Sequence, residues 1–229
     1  MLIPCIDLQD GQAVQLVHGR RRELVVADVF GLLEKFSGYK WLHIIDLDAA
    51  MNKPPNTRLV RALCTKGARD YKLKVRVGGG IRTLTRARSA LDAGATQIII
   101  GSSAFRSGAI NERFLGSLVR KFGRERIVIA VDTAKGQILT QGWREKLKLH
   151  PSAVIPRLEP FCSGFLCTDV DREGTMTGVN LRYFRELRFA TKLPIIAAGG
   201  ITTRGEIAAL EKLNMDAAVG MALYKNRIR

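Results

Sequence analysis

The chain has 229 residues, 46% of them hydrophobic and 25% charged, with 37 basic against 21 acidic side chains and a net charge of +16. That composition suits one large globular core and excludes disordered and collagen-like chains. Four cysteines without a C-x-x-C pair and three scattered histidines exclude a disulfide scaffold and the usual zinc-site spacings, so neither metal nor cofactor is expected.

From Met1 the chain passes directly into an apolar run with no basic leader, and no apolar stretch approaches the roughly 20 residues a spanning helix needs. A cytoplasmic protein without membrane contact is expected. The basic excess calls for an anion. Aromatic residues make up only 7% of the chain, which argues against the stacking surface of a nucleic-acid binder and favours a basic surface that steers a phosphorylated small molecule. A monomer is expected, with an oligomer as the alternative.

In chain order, strand-length apolar runs occupy residues 2–6, 41–45, 73–77, 97–100, 127–131, 164–167, 194–197 and 217–219. After the first run, the alternation over residues 12–17 predicts a short hairpin before a helix beginning near Ala27. Helical spacing of apolar residues recurs over residues 83–93, 111–122 and 203–213, each opening with a Thr or Asn cap. Eight apolar strands alternating with helices predict a parallel sheet closed as a (β/α)8 barrel, in preference to an open doubly wound sheet. Only nine residues follow Gly220, so the last outer helix is expected to be short or missing. The barrel is expected to be open on that side, covered by a partner subunit, another loop or solvent.

One short script appears twice. Asp7-Leu8-Gln9-Asp10-Gly11-Gln12 returns as Asp132-Thr133-Ala134-Lys135-Gly136-Gln137, Asp46-Leu47-Asp48 as Asp169-Val170-Asp171, and Gly79-Gly80-Ile81 as Gly199-Gly200-Ile201. The offsets predict one domain built from two half-barrels, residues 1–122 and 123–229, without a linker between them.

In such a barrel the reacting groups lie at the C-terminal strand ends and glycine loops bind phosphate. Gly79 and Gly80 with Gly101, Ser102 and Ser103 form one candidate anion cradle, and Gly199 and Gly200 with Gly220 and Met221 form the other. Asp7 and Asp132 end the first and fifth strands, facing each other as an acid and base, although each also suits a turn cap. On the long loop after the sixth strand, Thr168 suits a carboxylate or substrate hydroxyl, Glu173 suits the reacting carbon, and Gly174 with Thr175 extends the second cradle. Asp169, Asp171 and Arg172 read as a solvated charge cluster. Asp10 reads either as ordering the first loop or as solvated. Trp143, eleven residues past Asp132, suits stacking on a flat ring at the mouth, or simple loop anchoring. Arg20, Arg21 and Arg22 fit either substrate contact or a solvated face.

Ile3-Pro4-Cys5-Ile6-Asp7-Leu8, residues 77–82 (V-G-G-G-I-R), Gly101-Ser102, Val131-Asp132-Thr133, Gly142-Trp143, Cys167-Thr168-Asp169, Gly174-Thr175 and Ala198-Gly199-Gly200-Ile201 follow one another along the chain. With them the chain resembles the ProFAR isomerase family of histidine biosynthesis over essentially its whole length. The resemblance implies a cofactor-free Amadori rearrangement of an aminoaldose to an aminoketose, the substrate held by a phosphate at each end. It implies Asp7 as the base at the sugar C2, Asp132 and Thr168 in support, and a ring-opening acid on the loop after the sixth strand. The family usually carries Asp-Gly there, where this chain has Glu173-Gly174. Three rivals are the sister cyclase, whose usual lysine after the first strand has no counterpart here; a bifunctional isomerase also acting on phosphoribosylanthranilate, which tends to carry arginine where this chain has Gln141; and a phosphate- or RNA-binding relic without turnover.

Overall fold

The computed structural model describes residues 1–228. Eight strands, β1 (Leu2–Gln9), β2 (Trp41–Asp46), β3 (Lys74–Gly78), β4 (Gln97–Ile100), β5 (Ile127–Ala134), β6 (Gly164–Asp169), β7 (Ile195–Ala198) and β8 (Met215–Val219), pair in parallel with their sequence neighbours. Leu2 of β1 lies beside Ala217 of β8, which closes the ring. Parallel strands inside a helical jacket are buried on both faces, so they read as continuous apolar runs.

The jacket comprises α1 (Val29–Lys35), α2 (Thr57–Tyr71), α3 (Leu84–Asp92), α4 (Glu112–Phe122), α5 (Pro151–Leu158), α6 (Leu181–Ala190), α7 (Arg204–Glu211) and the single turn α8 (Met221–Tyr224). Thr83, Asn111 and Thr203 are the N-caps of α3, α4 and α7, each accepting from the backbone N–H three residues on. The helix expected near Ala27 starts at Val29, because Asp28 accepts the Gly31 N–H and fixes the cap there.

The expected opening beside the last strand is not present. The sheet is closed at β1–β8, and the space left by the one-turn α8 is filled by the chain itself. Tyr224 packs on Phe36 with ring centroids 5.9 Å apart, Lys35 donates to the Leu223 carbonyl and to Asn226, and Ile228 is buried. A short final helix is enough because the C-terminal end of α1 supplies apolar cover.

Two shells of core follow from the two faces of the strands. Outside, Leu42, Ile44, Phe165 and Ile195 pack with helix residues such as Phe36, Leu63, Phe184 and Leu187. Inside, Ile3, Ile99, Val128, Ala130, Leu166, Ile196 and Ala218 fill the barrel. Below them the floor is polar but closed. Arg76, 8% exposed, stacks 3.7 Å from the ring centre of Trp41, donates to Gln97 and approaches the buried His43 ring. Burial and the neighbouring guanidinium hold His43 far below its usual pKa, so it is neutral. Access to the interior is therefore from the opposite, C-terminal end.

Candidate active site

Side chains on a strand alternate between its two faces. Ile3 faces the barrel interior, so Cys5 and Asp7 face it too. On β5 the same count from Val128 and Ala130 brings Asp132 inward, and on β6 Leu166 is followed by Thr168. Both aspartates thus sit at the mouth, four strands apart in a ring of eight, because the pleat counts them inward from an apolar floor.

The repeated D-x-x-x-G-Q script is a turn as well as an acid. Asp10 and Gly11 have φ of 52° and 74°, and Lys135 and Gly136 have 49° and 73°, the left-handed pair of a two-residue hairpin turn. Gln12–Val17 returns beside β1 and continues into a third strand, Arg21–Val26. Gln137–Thr140 returns beside β5. The first hairpin is readable from alternation. The second carries the same script and was not expected, since its alternation is shorter. Asp10 orders the first loop, accepting from Arg22 and donating its N–H to Asp48 at 2.6 Å.

The glycine pairs match at the level of atoms. Gly79, with φ of 97°, lies against the Asp46 backbone, and Gly199, with φ of 102°, lies against the Asp169 backbone so closely that neither tolerates a Cβ. Asn56 donates to Asp46 at 2.9 Å, and Asn180 likewise bonds Asp169. Asn56 and Asn180 cap α2 and α6, an equivalence carried in the sequence by Asn-x-Arg at both places. The glycine loops are thus first of all what lets the strand ends approach each other.

Space for an anion differs between the two cradles. Nothing lies within 4 Å of where a Cβ on Gly101 would project, whereas the same position on Gly220 is filled by the buried side chain of Gln15. The turns starting at Ser102 and at Met221 have no side-chain cap, while α3 and α7 are capped by Thr83 and Thr203. The open N–H groups therefore lie on the shorter turns. Ser103 donates its hydroxyl to the Ile81 carbonyl at 2.6 Å and so ties the two loops of the first cradle together. Gly174 backs onto Leu16 and Val17 of the first hairpin, and Thr175 donates its hydroxyl to the Arg172 carbonyl at 2.8 Å.

Only part of the charge cluster after β6 is solvated. Asp169 is buried, 6% exposed, whereas Asp171 is exposed and accepts the Lys135 N–H at 2.6 Å, and the partly exposed Arg172 donates to the Gly178 carbonyl at 2.9 Å. These residues stitch the loops of β5 and β6 into one surface, a non-local arrangement with no trace in local composition.

Three acids meet at the mouth. Burial pushes the Asp7 carboxyl up to about 7. Burial, followed by the charges of Asp7, Asp132 and Asp169, pushes Glu173 up to about 8. Burial also raises Asp132, opposed by hydrogen bonds from the Trp143 indole, at 2.8 Å, and from Thr168. Trp143 is held in a strained turn, with φ of 52°, 66° and 68° at Gln141, Gly142 and Trp143, and its ring packs against Gly19 in the turn after Val17. The loops after β1, β5 and β6 therefore converge over one spot.

The family described as histidine biosynthesis protein matches residues 1–229. Among curated relatives, the 1-(5-phosphoribosyl)-5-((5-phosphoribosylamino)methylideneamino)imidazole-4-carboxamide isomerase of Methanocaldococcus jannaschii is 35% identical, covering 100% of this chain and 95% of its own length. The isomerases of the same name from Methanococcus voltae and Nitratidesulfovibrio vulgaris are 33% and 34% identical, covering 100% and 98% of this chain and 94% and 93% of their own lengths. A match over every residue, with a third of positions identical to these isomerases, establishes that the chain belongs to the histidine biosynthesis protein family.

Proposed function

We propose that this chain is the ProFAR isomerase of histidine biosynthesis, an aldose–ketose isomerase that converts a bisphosphorylated aminoaldose to its aminoketose by acid–base chemistry on its own side chains. The observation that carries the reading is the placement of two carboxyl groups over one mouth, both pushed up by burial, Asp7 to about 7 and Glu173 to about 8.

The chemistry needs an acid and a base in turn. Glu173, protonated at neutral pH, gives its proton to the ring oxygen of the ribosyl group as the C1–O bond breaks and the nitrogen lone pair forms C1=N. Asp7, in its ionised form, takes the proton from C2, and those electrons form the C1=C2 enolamine. Return of a proton to C1 and loss of the C2 hydroxyl proton give the ketone, so the sum is an isomerisation. Asp132, with Thr168 and Trp143 bonded to it, supports the charge across the mouth.

Residues 1–122 contribute Asp7 and one cradle, and residues 123–229 contribute Asp132, Glu173 and the other cradle. The open space at Gly101 with Gly79, Gly80, Ser102 and Ser103 takes one phosphate; Gly199, Gly200, Gly220 and Met221, with Gly174 and Thr175 at the rim, take the other. Trp143 closes the mouth over the substrate and keeps water from the enolamine.

The test is turnover of purified protein on ProFAR, with phosphoribosylanthranilate as a second substrate. Asp7→Asn should abolish turnover and Glu173→Gln should lower kcat at least about a hundredfold, the scale of lost general acid catalysis. An inactive unmodified protein on both substrates sinks the reading.

A further inference from the structure

The loop that carries Glu173 is held down by a residue of a different loop. His18, in the turn that joins Gln12–Val17 to Arg21–Val26, donates its backbone N–H to the Glu173 carbonyl at 3.0 Å, and its Nδ1 lies 3.1 Å from the Val170 carbonyl. A carbonyl can only accept, so Nδ1 carries the hydrogen. The Val170 carbonyl also accepts the Glu173 N–H at 3.2 Å. His18 thus grips both ends of the single turn, Val170–Arg172 followed by Glu173, that presents the carboxyl. Gly174 seals the joint, packed on the Leu16 carbonyl and on the Val17 Cα without room for a Cβ.

The grip has a conformational cost. His18 sits at φ of +50°, in the left-handed region that a non-glycine residue enters only with support, and Gly19 follows at +64°. The hairpin bends there so that the His18 imidazole reaches Val170 while Gly19 receives the Trp143 ring. One bend therefore meets both other loops. From these contacts we propose that His18 is a positioning residue for the isomerisation, a clasp that holds the loop after β6 against the first hairpin so that Glu173 stays over the reacting centre. The inference rests on the isomerase reading of the site.

The clasp has a chemical consequence. Glu173 is faced by Asp7 from β1, by Asp132 from β5 and by Asp169 from β6, with His18 holding its backbone from the hairpin. Burial first, and then those three carboxyl groups, keep its proton on. A loop that swings out puts Glu173 in water, where it ionises at a lower pH and ceases to be an acid at neutrality. Loss of the clasp should therefore lower kcat more than it raises KM and bring the alkaline limb of the pH profile to lower pH.

The test compares His18→Ala, His18→Gly and His18→Asn in the full chain, alongside Glu173→Gln. Asparagine tolerates a positive φ and keeps a short N–H donor, while glycine relieves the backbone but removes the donor. Expected are about a tenfold or greater loss of kcat in His18→Ala and His18→Gly with KM changed less than threefold, an alkaline limb shifted down by about one pH unit, and recovery of most activity in His18→Asn, the magnitude corresponding to loss of one hydrogen bond to the loop. Amide hydrogen exchange over residues 171–176 should quicken in the Ala and Gly variants and not in Asn. Unchanged kcat and unchanged exchange in His18→Ala, with the parent active and Glu173→Gln inactive, overturn the clasp alone. An inactive parent overturns the isomerase reading and, with it, the positioning role.

Discussion

Asp7 and Glu173 are carboxyl groups held where their charged forms are disfavoured, and that has a cost in stability as well as a use. An acid whose folded pKa lies above its unfolded value keeps its proton in the folded chain while the unfolded chain loses it. Stability therefore falls as pH rises from about 4, the unfolded value, through about 7 for Asp7 and about 8 for Glu173, and is level beyond that. Asp7→Asn and Glu173→Gln should each raise stability at pH 8, by about 1–3 kcal/mol after allowing for partial exposure at the mouth, and leave it nearly unchanged at pH 4. Thermal unfolding of the three proteins at both pH values checks this; equal gains at both would mean that the gain comes from packing and not from charge. Trp143 has the reverse character, since its indole hydrogen bond favours the charged form of Asp132. Trp143→Phe keeps the ring on Gly19 but drops the N–H, and should lower kcat about tenfold with a smaller change in KM, measurable in the same steady-state assay.

The strand ends show why one glycine is structural and another serves the ligand. At Gly199 a Cβ would overlap the Asp169 backbone, and the φ of 102° excludes other residues, so Gly199→Ala should cost at least about 2 kcal/mol of stability. At Gly101 the Cβ position is open, so Gly101→Ala should raise KM severalfold by occupying the phosphate's space. Denaturant titration beside kinetics separates the two, and a Gly101→Ala enzyme with unchanged KM would move the phosphate elsewhere. This is also where the sequence was most and least legible. The eight strands, the caps Thr83, Asn111 and Thr203, and the inward aspartates were readable because apolar period and capping chemistry are local. The burial of Asp169, the Asn56 and Asn180 anchors and the His18 contact with Val170 join segments up to 152 residues apart, and nothing near any of them announces the partner. The closed wall beside β8 escaped for the same reason, since its cover, Phe36 and Lys35, lies at the other end of the chain.

Across the whole molecule the +16 charge exceeds what two phosphates require at contact. With 37 basic against 21 acidic side chains, the excess basic groups have no acid to pair with, so a positive field extends into solvent. A field of that sign raises the local concentration of a substrate carrying two phosphates and accelerates its approach, and salt screens it over about 10 Å at 0.1 M ionic strength. Raising sodium chloride from about 20 to 300 mM should therefore lower kcat/KM about tenfold while kcat, set inside the closed mouth, changes less than twofold. The mouth itself is lined by acids, which repel the substrate at close range, so the attraction has to come from the surrounding surface and from the cradles. Charge reversal at Arg20 and Arg21, which follow Gly19 at the start of Arg21–Val26, distinguishes these sources. If the rim does the steering, Arg20→Glu with Arg21→Glu should flatten the salt dependence with kcat retained. If the slope is unchanged, the attraction lies in the cradles, and the basic surface has no part in delivering substrate.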